Sequence, residues 1–215
     1  MHIVILWWSG RMWKAVINQA LSYKRNVTAL TRRKWSLASL VVWSNWLLTE
    51  VVWDATNSQD ISNIIHNIDA IVHTVSVPLF HTKPTNIYSN TTKAVIKSLQ
   101  INKDIHYIVM SSTGTDSKRK SLPRGISHIY EYLLWDVAND KEYEEELLAQ
   151  SDIKWTIIKS PFLTKWLAQN TKLIQFESYI FSVFDTISRN MIAKVIIDTI
   201  IQKNHILQKI VPLIK

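Results

Sequence analysis

The chain has 215 residues, with 25 Lys and Arg against 17 Asp and Glu and therefore a formal charge of +8. That length is enough for one domain with a continuous core. The absence of cysteine excludes disulfides, a thiol nucleophile, thiolate-bound metal and iron–sulfur clusters. No apolar run approaches the roughly 18 residues of a membrane span, and no secretory leader is recognisable. A cytoplasmic protein with no membrane association is therefore expected.

The first apolar run, Ile3 to Leu6, reads as a short buried strand and leads into Trp7-Trp8-Ser9-Gly10-Arg11-Met12-Trp13. A strand, a tight turn and a helix N-terminus form the arrangement that holds a pyrophosphate, because unpaired helix N–H groups and the helix dipole attract it. Such a turn asks for glycine at 7, 10 and 13, and only Gly10 supplies it. Lys14 to Lys24 is expected to be helical, with Ala15, Val16, Ala20 and Leu21 on one face. Asn26 to Thr31 is a second strand, which completes a βαβ unit. Arg32-Arg33-Lys34 follows at its end, where an arginine fork can accept the 2′-phosphate of an adenosine ribose. A solvated basic loop is the alternative.

Leu47 to Val52 is a third strand ending at Trp53-Asp54-Ala55-Thr56, and Ser58 to Asn67 a helix with Ser58 as its cap. Ala70 to Val75 is a fourth strand and Thr85 to Ile101 a helix. Ile105 to Met110 is a fifth strand, followed by Ser111-Ser112 and a polar, basic loop from Asp116 to Pro123. Asn139 to Gln150 reads as a helix whose Glu142, Glu144, Glu145 and Glu146 form a solvated face. Trp155 to Lys159 is a sixth strand stopped by Ser160-Pro161. Ile187-Ser188-Arg189 caps a last helix to about Gln202, and Ile206 to Val211 adds an edge strand. Strands alternating with helices predict an α/β fold, a Rossmann-like doubly wound parallel sheet in a single domain over 1–215. Its ligand belongs beyond the carboxyl ends of the strands, and a small substrate-side segment is expected at about 160–186.

Several strings in this order resemble the atypical short-chain dehydrogenases that bind NAD(P)H, including NmrA-like proteins and the flavin reductase and biliverdin-IXβ reductase group. They are Ile3 to Trp13, Val27 to Arg32, Trp53 to Thr56, Asp69 to Val72, Tyr107 to Ser112, Ser151 to Pro161, and Ile187 to Arg189. The resemblance implies a reductase of a small organic or flavin-like substrate using NADP(H) in preference to NAD(H). The alternative is an NmrA-like redox sensor that binds NADP(H) without turnover and acts through a protein partner. It implies cofactor contacts from Trp7, Ser9, Gly10, Arg11, Met12, Arg32, Arg33, Asp54, Ala55, Thr74, Val75, Pro161 and Phe162. Ser112 matches the active-site serine, with a polar strand end as the alternative. Lys141 matches the region of the catalytic lysine, with an ordinary helix-surface lysine as the alternative. No Tyr-x-x-x-Lys occurs, so the proton donor is unassigned. The seven histidines show no ligand spacing, no metal site is expected, and His73 reads as a core or cofactor-edge residue. The basic groups lack the aromatic modules of nucleic-acid binders, so nucleic acid is not an expected partner.

The resemblance also bears on composition, since the chain holds 3 Gly and 10 Trp where ordinary usage gives about 7% Gly, roughly 15 residues in this length. Trp7, Trp13 and Trp53 fall where these proteins carry glycine. Trp8, Trp35, Trp43, Trp46, Trp135 and Trp166 stand in contexts that read as turns or loops. UGA, a stop codon reassigned in some genomes, differs from glycine and tryptophan codons by one base. The pattern is the one expected if UGA encodes glycine in the source organism and has been rendered as tryptophan.

Overall fold

The computed structural model describes residues 1–7, 11–32, 37, 46–78, 83–113, 124–164, 171–178, 185–202 and 208–214. In chain order the elements are β1 (His2–Leu6), α1 (Met12–Ser22), β2 (Asn26–Thr31), β3 (Leu48–Val52), α2 (Ser58–Ile64), β4 (Ala70–His73), α3 (Ile87–Leu99) and β5 (His106–Ser112). They continue with α4 (Arg124–Ala149), β6 (Trp155–Ser160), β7 (Phe162–Thr164), β8 (Thr171–Gln175), β9 (Thr186–Ser188), α5 (Arg189–Ile201) and β10 (Gln208–Ile214).

Among the described residues eight strands form one sheet in the order β3-β2-β1-β4-β5-β6-β10-β8, parallel except for β8. Strand order reverses between β1 and β4, and a Rossmann sheet opens its ligand crevice at that point. Strand β1 shows why both faces must be covered: Ile3 and Ile5 enter one core with Val16, Ile17, Ile192 and Ile196, while Val4 and Leu6 enter another with Val95, Leu99 and Leu148. Helices α1 and α5 cover the first face, and α2, α3 and α4 the second. An unbroken apolar run is what a parallel strand buried on both sides requires.

Several expectations change. The cap of α2 is Asn57, not Ser58: its extended backbone lets the side-chain oxygen accept from Gln59 N–H at 2.9 Å. Strand β10 is not at the edge, because antiparallel β8 pairs with its outer side. Ser111 and Ser112 belong to β5, paired with Lys159 and Ser160 of β6. Trp135 lies within helix α4, not in a turn. Glu144 and Glu145 are 0% and 4% exposed, so the acidic stretch is not a uniformly solvated face. Ser188 does cap α5, accepting from Met191 N–H at 3.2 Å. The expected loop from Asp116 to Pro123 lies outside the described residues.

Candidate functional site

A cavity of about 450 Å³ opens at the carboxyl ends of β4, β5 and β6, beside the start of α1. A smaller one of about 300 Å³ lies at the opposite strand ends, around Met1, Asp69 and Lys154. The larger holds the crevice position of the fold. Of the residues singled out from sequence, Arg11, Met12, Thr74, Val75, Ser112, Lys141, Pro161 and Phe162 line it together. Trp7, Arg32, Asp54 and Ala55 do not. Arg32 directly follows β2, Asp54 follows β3 with its carboxylate accepting from the Thr56 N–H and hydroxyl, and Ala55 is buried. Ser9, Gly10 and Arg33, with Trp8, Trp35, Trp43 and Trp166, lie outside the described residues.

Among the described residues charge at the cavity is one-sided: Arg11, Lys141 and Arg189 line it and no carboxylate does. Arg11 caps α1 without a side-chain hydrogen bond, and the first turn of that helix holds no acidic residue. Its N–H groups and dipole thus act on the same space as two guanidinium groups. Burial first, and then the Arg11 charge, hold Arg189 below the usual arginine range. Adjacent cations around a helix N-terminus fit a polyanion such as a dinucleotide pyrophosphate. Trp7 and Trp13 stand beside that helix start with ring centroids 4.0 Å apart, and the buried Trp7 indole Nε1 has no hydrogen-bond partner among the described residues. The charge set fits the cofactor, while the two indoles pack on each other at positions where the sequence pattern asks for glycine.

Sequence reasoning missed the floor of the cavity. Helix α4 carries Asp140, Lys141, Glu144 and Glu145 inward; of the four, Lys141 lines the cavity, and the three carboxylates are buried without lining it. Asp140 receives the Tyr88 and Ser89 N–H groups at 2.9 and 3.2 Å, capping α3 from its neighbour. Burial holds the Asp140 carboxyl above the ordinary range despite these bonds. Lys141 donates to the Met110 carbonyl at 3.1 Å and stands 4.2 Å from the centre of the Tyr88 ring. Burial pulls its pKa down, against the opposing charges of Glu144 and Glu145. It is not a surface lysine.

Glu144 Oε1 lies 2.9 Å from His73 Nδ1 and accepts from Thr92 at 2.8 Å. Burial alone would raise its carboxyl, but His73, Lys141 and Thr92 bring it below the glutamate range. The Tyr107 hydroxyl lies 2.9 Å from both His73 Nδ1 and Thr92, and burial pushes its pKa well up. Glu145 pairs with Lys159 at 2.8 Å and accepts from Ser111 at 3.1 Å. Ser111 therefore faces α4, and strand alternation turns Ser112 toward the other face of the sheet. The signal for this floor was present in the spacing: Ala138, Lys141, Glu145 and Leu148 follow the 3-4-3 stripe of a buried helix face.

Among the described residues no group of side chains could hold a metal ion, and no helix is long and apolar enough to cross a membrane. Among curated proteins, no sequence matches the chain. Its fold is similar to that of a short-chain dehydrogenase/reductase from Veillonella parvula solved with NADP: TM-score 0.78, 15% identity, 98% of this chain and 93% of that one. It is also similar to a protein described as an NADH-flavin reductase from Streptococcus pneumoniae (0.74, 16%, all of both chains). A third likeness is to the anaerobillin reductase ChuY of Escherichia coli (0.74, 15%, 98% and 96%). At these identities the likeness is one of fold. The sequence profile of NAD(P)H-binding proteins matches residues 9–203, nearly the whole chain, so the chain belongs to the NAD(P)H-binding family.

Proposed function

We propose that this protein is an NAD(P)H-dependent reductase, preferring NADPH, of a small organic or flavin-like acceptor. The observation that carries the reading is the cavity at the carboxyl edge, where, among the described residues, three cations, no carboxylate and the α1 N-terminus surround a largely apolar space. In this reading Arg11, Arg189 and the first N–H groups of α1 hold the phosphates. Thr74, Val75, Pro161 and Phe162 border the nicotinamide, and Arg32, with Arg33, takes the 2′-phosphate. Ser112 and Lys141 stand at the reacting end. The reduced nicotinamide, when bound, supplies the hydride. The fold relatives, one solved with NADP and two named as reductases, support the reading.

The test is NADPH oxidation against flavins, quinones and carbonyls, with parallel titration of NADPH and NADH. Turnover on one class of acceptor and tighter NADPH binding, lost in Arg32→Ala, are expected. Equal affinity for both cofactors would remove the 2′-phosphate assignment. Binding without turnover on any acceptor would leave a redox sensor working through a protein partner.

A further inference from the structure

Helix α4 provides Lys141 for the site, and four residues before it stands Val137, which also lines the cavity; among the described residues no tyrosine of this helix does. A tyrosine reaches the same place from another helix. Tyr88, in the first turn of α3, lines the cavity, with the Lys141 ammonium 4.2 Å from the centre of its ring. Its backbone N–H is fixed by Asp140, the residue before Lys141. Its hydroxyl oxygen accepts from the N–H of Val77, another lining residue, at 3.1 Å. The oxygen is thus held as an acceptor, and among the described residues no group receives its proton.

We propose that Tyr88 is the proton donor of the reductase site, acting with Lys141 as a tyrosine–lysine pair assembled from two helices. The inference rests on the reductase reading and completes it. For a carbonyl-type acceptor, two electrons and one hydrogen nucleus come from the reduced nicotinamide, leaving an electron pair on the acceptor oxygen. The Tyr88 O–H bond breaks as that oxygen gains its proton, and solvent returns a proton to the phenolate. The Val77 N–H and the Lys141 charge stabilise the phenolate while it lasts. Burial raises the Tyr88 pKa to about 12, so the phenol stays protonated through the neutral range until an acceptor takes the proton.

The test compares wild type with Tyr88→Phe in two assays. Where wild type reduces an acceptor, Tyr88→Phe should lower kcat by about 100-fold, the lower end of general-acid contributions. The solvent deuterium isotope effect should change while the Kd for NADPH stays the same. Separately, p-nitrophenol titrated spectroscopically should bind wild type as its anion about tenfold more tightly than it binds the variant, the lower end for a hydrogen bond to a charged group. Unchanged kcat together with unchanged p-nitrophenol affinity overturns the proposal. A wild type inactive on every acceptor overturns the reductase reading, and the p-nitrophenol arm still reports whether Tyr88 donates into the cavity.

The tryptophans carry a second inference on separate observations. Trp46 sits at φ 68° and is 97% exposed. The left-handed region is an outlier for a bulky residue and costs glycine nothing. The buried, unpartnered Trp7 Nε1 and its packing on Trp13 add a desolvated donor where a phosphate turn needs no side chain. We infer that positions 7, 13 and 46 are glycine in the living protein, encoded by UGA. Peptide mass spectrometry of the protein from its native host decides it. Glycine at all three supports the inference, and tryptophan at any one of them overturns it.

Discussion

The Lys159–Glu145 pair offers a demanding test of how the floor of the cavity is held. Its charged atoms lie 2.8 Å apart with the two side chains 0% and 5% exposed, and Ser111 shares the carboxylate. At an effective dielectric near 20, two unit charges at that distance attract by about 6 kcal/mol. Desolvation costs several kcal/mol for each ion, so the intact pair adds little net stability. Removing one partner is different, because the other charge stays buried. Lys159→Met should therefore destabilise by about 3–5 kcal/mol, a fall in Tm of roughly 6–20 °C for a chain of this size. Lys159→Met with Glu145→Leu should return most of that loss, since the two charges of the pair are then removed together. Urea and thermal unfolding of both single variants and the double variant form the cycle. A Lys159→Met protein within about 1 kcal/mol of the parent, or a double variant as unstable as the sum of the singles, would refute the reasoning.

Three further outcomes are expected. Replacing Trp7 and Trp13 by glycine should tighten NADPH binding at least about tenfold by freeing the turn and relieving overpacking, typically 1–3 kcal/mol per site; unchanged affinity would show that the indoles do not obstruct the site. The Glu144 carboxyl is held below the ordinary glutamate value of about 4.3, so its contribution is complete above that pH and is lost as pH falls through the lowered value. Glu144→Gln should flatten this acid limb of stability, and an unaltered limb in acid unfolding would count against the His73 contact as its source. Ser188→Ala should cost about 1 kcal/mol through loss of the α5 cap, and a thermal midpoint equal to the parent's would contradict it.

What the sequence made legible was local. A continuous apolar run identified β1 because parallel strands bury both faces, a short β-rich run identified β2, and the serine at 188 announced its helix because capping acts within three residues. Thr74 and Ser112 were placed by topology, at strand ends where such a sheet opens, and Pro161 by the family resemblance; the three line one cavity. Helix α4 resisted the same reading because four glutamates in five positions look solvated when only their own helix is considered. Their partners His73, Thr92, Ser111 and Lys159 come from β4, α3, β5 and β6. Local pattern reports which face an element buries, here the stripe through Ala138, Lys141, Glu145 and Leu148, but not what stands opposite. The same limit hid Tyr88, which meets Lys141 across 53 positions, and Arg189, which meets Arg11 across the length of the chain. A tyrosine–lysine pair on one helix can be found as a motif, whereas a pair shared between α3 and α4 exists only after Asp140 has docked one helix on the other.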